Sequence, residues 1–232
     1  MTTISLFKKC YNENLWFFVP YFAFLFIGGI LLLSFPKGED IIVINHYNNS
    51  VLDSFFKYIT YFGDGMFLAV LLIPMLIIRL RYFIYFLFSF LTSGGMAQIL
   101  KFSFNLPRPT AYFHNSIILH YVPGVHVYMA HSFPSGHTAT AFAMFLMLSI
   151  ISKKSSSKLF FFISALIVGL SRVYLLQHFF IDVYFGSIVG TLFSLSNYVI
   201  INKYWLRENN CWQDRGVVHY YGYLKNKSKL GK

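Results

Sequence analysis

Charge is scarce in this sequence, and negative charge scarcest. Of 232 residues 12% are charged, and eight Asp and Glu stand against nineteen Lys and Arg. A soluble domain carries about 25% charged residues, so a water-facing surface is excluded for most of the chain. Cysteine is limited to Cys10 and Cys211. Both fall on the side assigned below to the cytoplasm, where a structural disulfide is not expected. Internal repeats, heptad arrays and linkers are missing, which predicts one integral membrane domain over 1–232, with a core at about 15–201 and a basic tail at 202–232. The formal charge of +11 has no nucleic-acid-binding motif beside it, so nucleic acid is not expected as a partner.

Apolar and aromatic residues supply what charge does not, at 56% and 21% of the chain. Crossing a hydrocarbon core of ~30 Å takes roughly 17–25 apolar residues, and runs near this length recur about six times. They lie at Leu15–Phe35, Tyr61–Ile78, Tyr82–Phe104, His137–Ser152, Leu159–Gln177 and Phe180–Ile201. The fourth is the shortest, and Pro74 introduces a kink into the second. The fold class predicted is all-α, a polytopic bundle of about six transmembrane helices. The first run is too long for a signal-peptide core and has no small-residue cleavage site after it, so it reads as retained.

Basic residues then orient the bundle. Lys8, Lys9, Arg79, Arg81, Lys153, Lys154, Lys158, Lys203, Arg207, Arg215, Lys225, Lys227, Lys229 and Lys232 all fall on one side, read as the cytoplasm, which places both termini there. Lys37 and Lys57 fall in an outer loop. Three cations remain, Lys101, Arg108 and Arg172, and they belong to polar clusters that interrupt the apolar chain.

Those clusters are 101–109, 134–137 and 171–182, and the topology puts all three at the outer membrane surface. Ionisable residues beside membrane spans are costly and mark functional sites. Lys101, Arg108 and Arg172 face one carboxylate, Asp182, so the site has an excess of positive charge and favours an anion. Phosphate fits, because the Arg fork binds two of its oxygens at once and Lys adds a point charge. In Pro134-Ser135-Gly136-His137, glycine permits close backbone approach, the opening helix offers free N–H groups, and Ser135 offers a hydroxyl. His178 and Asp182 are four residues apart and share a face if the stretch is helical, leaving one ring nitrogen held by the carboxylate and the other free to attack. His137, from another span, is placed to protonate a leaving oxygen.

Lys101-x6-Arg108-Pro109, Pro134-Ser135-Gly136-His137 and Ser171-Arg172-x5-His178-x3-Asp182 together resemble the three-part signature of the type 2 phosphatidic acid phosphatase family, matching in order, residue type and spacing. The resemblance implies a metal-independent, cofactor-free phosphatase in a helical bundle. In it His178 is the nucleophile that becomes a phosphohistidine, with Asp182 its partner and His137 the acid. Lys101, Arg108, Ser135, Gly136 and Arg172 cradle the phosphoryl group. The implied substrate is a phosphorylated membrane lipid, of the bacterial envelope type (undecaprenyl diphosphate or a lipid A phosphate), handled at the outer face of the cytoplasmic, or inner, membrane. Two alternatives stay open: a phosphotransferase using the same intermediate, and a non-enzymatic transport or lipid-binding protein. Oligomeric state is not legible.

The outer loop between Asn105 and Pro134 contains His114, His120, His126 and His131. Their spacing follows no zinc pattern and no Cys or acidic residue accompanies them, so no metal site is expected. With Arg108, Tyr112 and Tyr128, this loop reads as a lid or headgroup wall. The segment Val51–Lys57 reads as an interfacial helix.

Overall fold

The computed structural model describes residues 2–114, 116–205 and 216. The described secondary structure is helical, in the order α1 (Thr3–Glu13), α2 (Leu15–Ser34), α3 (Glu39–His46), α4 (Ser50–Ile59), a 3-10 turn (Thr60–Gly63), α5 (Gly65–Ile78), α6 (Leu80–Phe104), α7 (Pro109–Phe113), α8 (Gly136–Ile151), α9 (Ser155–Tyr174), α10 (Phe180–Ile200) and a π-helical turn (Ile201–Trp205). The basic tail, including Arg207, Cys211, Arg215 and the lysines from 225 onward, lies outside the described residues apart from position 216.

By length and composition, four helical stretches are able to cross a membrane: Leu15–Ser34, Leu80–Phe113, Ser155–Tyr174 and Phe180–Trp205. A fifth is a broken one, in which Ser50–Gly63 meets Gly65–Ile78 at 56°. The sequence predicts a single run from Tyr61. Instead the chain breaks at Asp64, whose carboxylate caps α5 by accepting from the Met66 N–H at 2.9 Å. The kink expected at Pro74 is not where the bend falls, since Pro74 lies inside continuous α5. The fifth predicted run ends at Tyr174, not Gln177.

Helix α8 has 16 residues. At 1.5 Å per residue it spans about 24 Å, less than a hydrocarbon core. It packs against α6, α9 and α10, and eleven of those sixteen residues are buried, so protein encloses most of it. The approach of α10 is set by small residues, as is usual where helices meet without a hydrophobic driving force. A Cβ at Gly190 would lie 2.3 Å from the Ala139 carbonyl oxygen, and one at Gly186 2.7 Å from that of Ser135. Both obstacles are backbone and cannot swing aside. Gly190→Leu is therefore expected to force α8 and α10 apart and abolish recovery of monodisperse protein in detergent size-exclusion chromatography. Gly94→Leu, at a position with nothing within 4 Å, is expected to leave recovery unchanged.

Candidate functional site

Helix α9 ends just below the site. Leu176 takes a left-handed backbone conformation (φ 56°), which costs a β-carbon-bearing residue about 1 kcal/mol or more. Its buried side chain packs with Ile41, Val173, Phe179 and Val183, and that packing holds the reversal. The N–H groups of Gln177 and His178 then both donate to the Arg172 carbonyl, at 2.9 and 3.1 Å. His178 thus lies in the connection between α9 and α10.

The shared helical face expected for His178 and Asp182 is not what brings them together. Asp182 is the third residue of α10, and its Oδ2 accepts from the N–H of Phe179, the residue capping the helix, at 3.0 Å. The same oxygen stands 3.4 Å from His178 Nδ1 and accepts from the Ser132 hydroxyl. One carboxylate therefore caps a helix and holds a ring nitrogen, and Ser132 locks it in place. A second carboxylate reaches the same helix end from α3, where Asp40 Oδ2 accepts from the Phe180 N–H at 2.6 Å. Burial pushes the Asp40 carboxyl above the ordinary carboxylate range, against the pull of these N–H donors.

Ser135 caps α8. Its Oγ accepts from the Thr138 N–H at 3.3 Å and the Thr138 hydroxyl at 2.8 Å, and its N–H donates to the Asp182 carbonyl at 2.9 Å. The starts of α8 and α10 are thereby tied together. Gly136 lies beside Lys101, whose ammonium would be in ordinary van der Waals contact, at 3.4 Å, with a Cβ at that position.

The guanidinium groups are placed by Ala130, Gln177, Tyr128 and Thr60. Arg108 donates from Nε to the Ala130 carbonyl at 2.9 Å, and from one terminal nitrogen to the Gln177 side-chain oxygen at 2.9 Å and the Gln177 carbonyl at 3.2 Å. Tyr128 presents its ring 5.0 Å from the Arg108 guanidinium carbon. Gln177 is fixed in turn by donating to the His126 carbonyl at 2.8 Å. Arg172, 7% exposed, donates to the Thr60 hydroxyl at 2.7 Å. Its Nε is buried with no hydrogen-bond partner among the described residues. A buried unsatisfied donor is costly, and an anion in the site would satisfy it.

Lys101, Arg108, Arg172, Gly136, His137 and His178 line one cavity of about 600 Å³. Ser135 and Asp182 stand behind its wall, as cap and support. The cavity continues past Gly63 and Gly65 to Phe90, Leu91, Gly94, Gly95 and Gln98 on α6, so a cationic end adjoins a more apolar one. His178 is 1% exposed. Burial foremost, then the charges of Arg108, Arg172 and Lys101, push its pKa well below the ordinary histidine value. The imidazole is neutral at pH 7.

The loop histidines disperse. His120 Nε2 pairs with Asp53 Oδ2 of α4 at 2.9 Å, His126 stacks near Tyr128, His131 Nδ1 stands 3.3 Å from the Lys101 carbonyl, and His114 caps α7. Tyr128 lines the cavity, while Tyr112 packs against Phe179 outside it. The segment Val51–Lys57 lies in the helix α4, none of whose residues is fully buried. It is joined to the bundle by Asp53, whose Oδ1 accepts from the Tyr174 hydroxyl at 2.6 Å.

Of the residues not foreseen, Ser132 and Gln177 had a signal in the sequence, being polar residues beside two clusters. Thr60 and Asp40 had none, because they reach the site from segments over a hundred residues away in the chain. Ser132→Ala removes a hydrogen bond to a buried carboxylate, worth about 1.5–3 kcal/mol. It is expected to lower kcat by about tenfold or more with little change in KM, as measured by steady-state phosphate release.

The described residues thus form a helical bundle whose cation-lined pocket brings together His137 of α8 and His178 of the α9–α10 connection. Residues 82–206 match the PAP2 superfamily, more than half of the chain, and the chain belongs to that family. It is similar to a lipid A 1-phosphatase of Rhizobium johnstonii, 29% identical over 119 residues that make up 51% of this chain and 48% of that protein. The chain thus spans about half the length of this curated relative. It is also similar to the crystal structure of Aquifex aeolicus LpxE, with a TM-score of 0.63 and 29% identity over 72% of this chain and 97% of that one.

Proposed function

We propose that this protein removes a phosphate from a bacterial envelope lipid, with a lipid A phosphate as its first candidate substrate. The observation that carries this reading is the single cavity in which three cations surround two histidines, one of them backed by Asp182. His178 Nε2 attacks phosphorus while Asp182 holds Nδ1 protonated. Lys101, Arg108, Arg172 and the N–H groups at the start of α8 stabilise the charge spreading over the phosphoryl oxygens. The bond from phosphorus to the lipid oxygen breaks, and His137 gives that oxygen its proton. Water, deprotonated by His137, then attacks the phosphohistidine, releasing phosphate and restoring His178.

The apolar arm of the cavity supports a lipid substrate. Gly94 and Gly95 leave room along α6, where Phe90 and Leu91 offer an apolar wall. Gly94→Leu is expected to raise KM for lipid substrates about tenfold and to leave kcat/KM for a small aryl phosphate unchanged, as measured by parallel kinetics. Six spans follow if α8 counts beside the five segments identified by length. With the basic α6 start and the α8–α9 turn in the cytoplasm, both termini are cytoplasmic and the cavity faces outward.

Inorganic phosphate release from purified protein, with and without EDTA, tests this reading on lipid A, undecaprenyl diphosphate, phosphatidylglycerol phosphate and phosphatidic acid. EDTA-resistant release, fastest from lipid A, is the expected result. Loss of release on chelation overturns the metal-independent route, and transfer of label to a second lipid assigns the phosphotransferase route instead. Because the His178 pKa is lowered and attack needs the neutral ring, kcat/KM is expected to persist as pH falls below about 6.5, the ordinary histidine value, and to be lost at lower pH.

A further inference from the structure

A second cavity, of about 780 Å³, lies at the opposite end of the bundle. Arg81 near the start of α6 lines it, whereas Lys101 of the catalytic cavity is twenty residues further along the same helix. At 1.5 Å per residue that separates the two by about 30 Å, one hydrocarbon thickness. Five cations line this second cavity, Lys9, Arg81, Lys153, Lys158 and Lys203, against one described carboxylate, Glu13.

The cations come from five separate parts of the chain: α1, α6, the α8–α9 turn, α9 and the π-helical turn. Placing basic residues in cytoplasmic loops sets orientation, but orientation does not require them to converge on a concavity. Two are held by neutral acceptors. Lys158, buried, donates to the Glu13 backbone carbonyl, and Lys203 donates to the Thr3 hydroxyl at 2.9 Å. Neither bond cancels charge. Leu6, Ile150 and Ile151 complete the wall with apolar surface. On its outer side α1 exposes Ile4 and Phe7, as a helix lying in the membrane interface does.

We propose that this cavity binds the phosphate headgroup of an anionic glycerophospholipid from the leaflet opposite the catalytic one. Phosphate is the anion that clustered Lys and Arg recognise. A lipid is favoured over free phosphate because the cavity joins cations to an apolar wall beside exposed apolar residues of α1, where a headgroup and its first chain atoms would lie together. The bound lipid clamps α1 to the ends of α6, α8 and α9.

Native mass spectrometry of the full chain, released from micelles doped with phosphatidylglycerol or phosphatidylcholine, tests the proposal. One phosphatidylglycerol is expected to stay bound at least tenfold more tightly than phosphatidylcholine. That binding should persist in Lys101→Ala, which alters the catalytic cavity. It should disappear in Lys9→Gln/Lys153→Gln/Lys203→Gln, three exposed positions whose replacement leaves hydrolysis of a small aryl phosphate intact. Equal retention of the two lipids, or of phosphatidylglycerol by the triple variant, overturns the proposal. So does inorganic phosphate at millimolar concentration displacing the lipid or matching its thermal stabilisation, since the site would then be one for a free anion.

Discussion

His178→Ala is expected to lower phosphate release by about 10³-fold or more, equivalent to about 4 kcal/mol of transition-state stabilisation. The side chain is 1% exposed and touches the buried Asp182, so the variant is checked first for an unchanged elution profile. The companion variant His137→Asn separates the two steps. With His178 intact and the proton donor and water activator gone, both steps slow. A substrate whose leaving group needs no proton, such as a nitrophenyl phosphate, still phosphorylates the protein. Acid-labile label from the radioactive substrate should then accumulate in His137→Asn and be absent from His178→Ala. Label in the alanine variant, or turnover within tenfold of the parent, would place the nucleophile elsewhere.

Arg172→Lys is expected to cost about 10²–10³-fold in kcat, about 3–4 kcal/mol, although it keeps the charge. The guanidinium does two things at once: one terminal nitrogen anchors to Thr60, and Nε is buried with no partner among the described residues. An ammonium is a point charge with no fork and cannot hold a fixed anchor while presenting a second donor in a set plane. A double-mutant cycle with Thr60→Val checks this account. Thr60→Val should slow the parent by about tenfold, or about 1.4 kcal/mol, and have little further effect in R172K. Additive effects would mean that Thr60 acts without Arg172.

The candidate site was legible because its polar side chains are rare residues here. In a chain so poor in charge, Lys101, Arg108, Arg172 and Asp182 stand out against an apolar background, and the fold gathers the three cations in one cavity. The sequence could not show how the side chains are held. A spacing of four between His178 and Asp182 invites a helical face, yet the left-handed Leu176 turns the chain before α10 begins, and the contact is made through a helix cap. Asp40 and Thr60 lie in segments whose local pattern speaks only of short helices. Span counting was blurred for a related reason: α8 is enclosed by protein, so neither its length nor its apolar face had to match the bilayer.

The outer loop is tethered unevenly. Backbone groups at His120, His126, Met129, Ala130 and Ser132 are each bonded to the bundle or to the strap around Arg108, whereas Ile118 is fully exposed. Variation in length near Ile118 would leave the phosphate cradle untouched while reshaping what surrounds the headgroup. On the proposed function, insertion at that point changes substrate preference without loss of the chemistry, and an epitope tag placed there would report the loop's side of the membrane in intact cells.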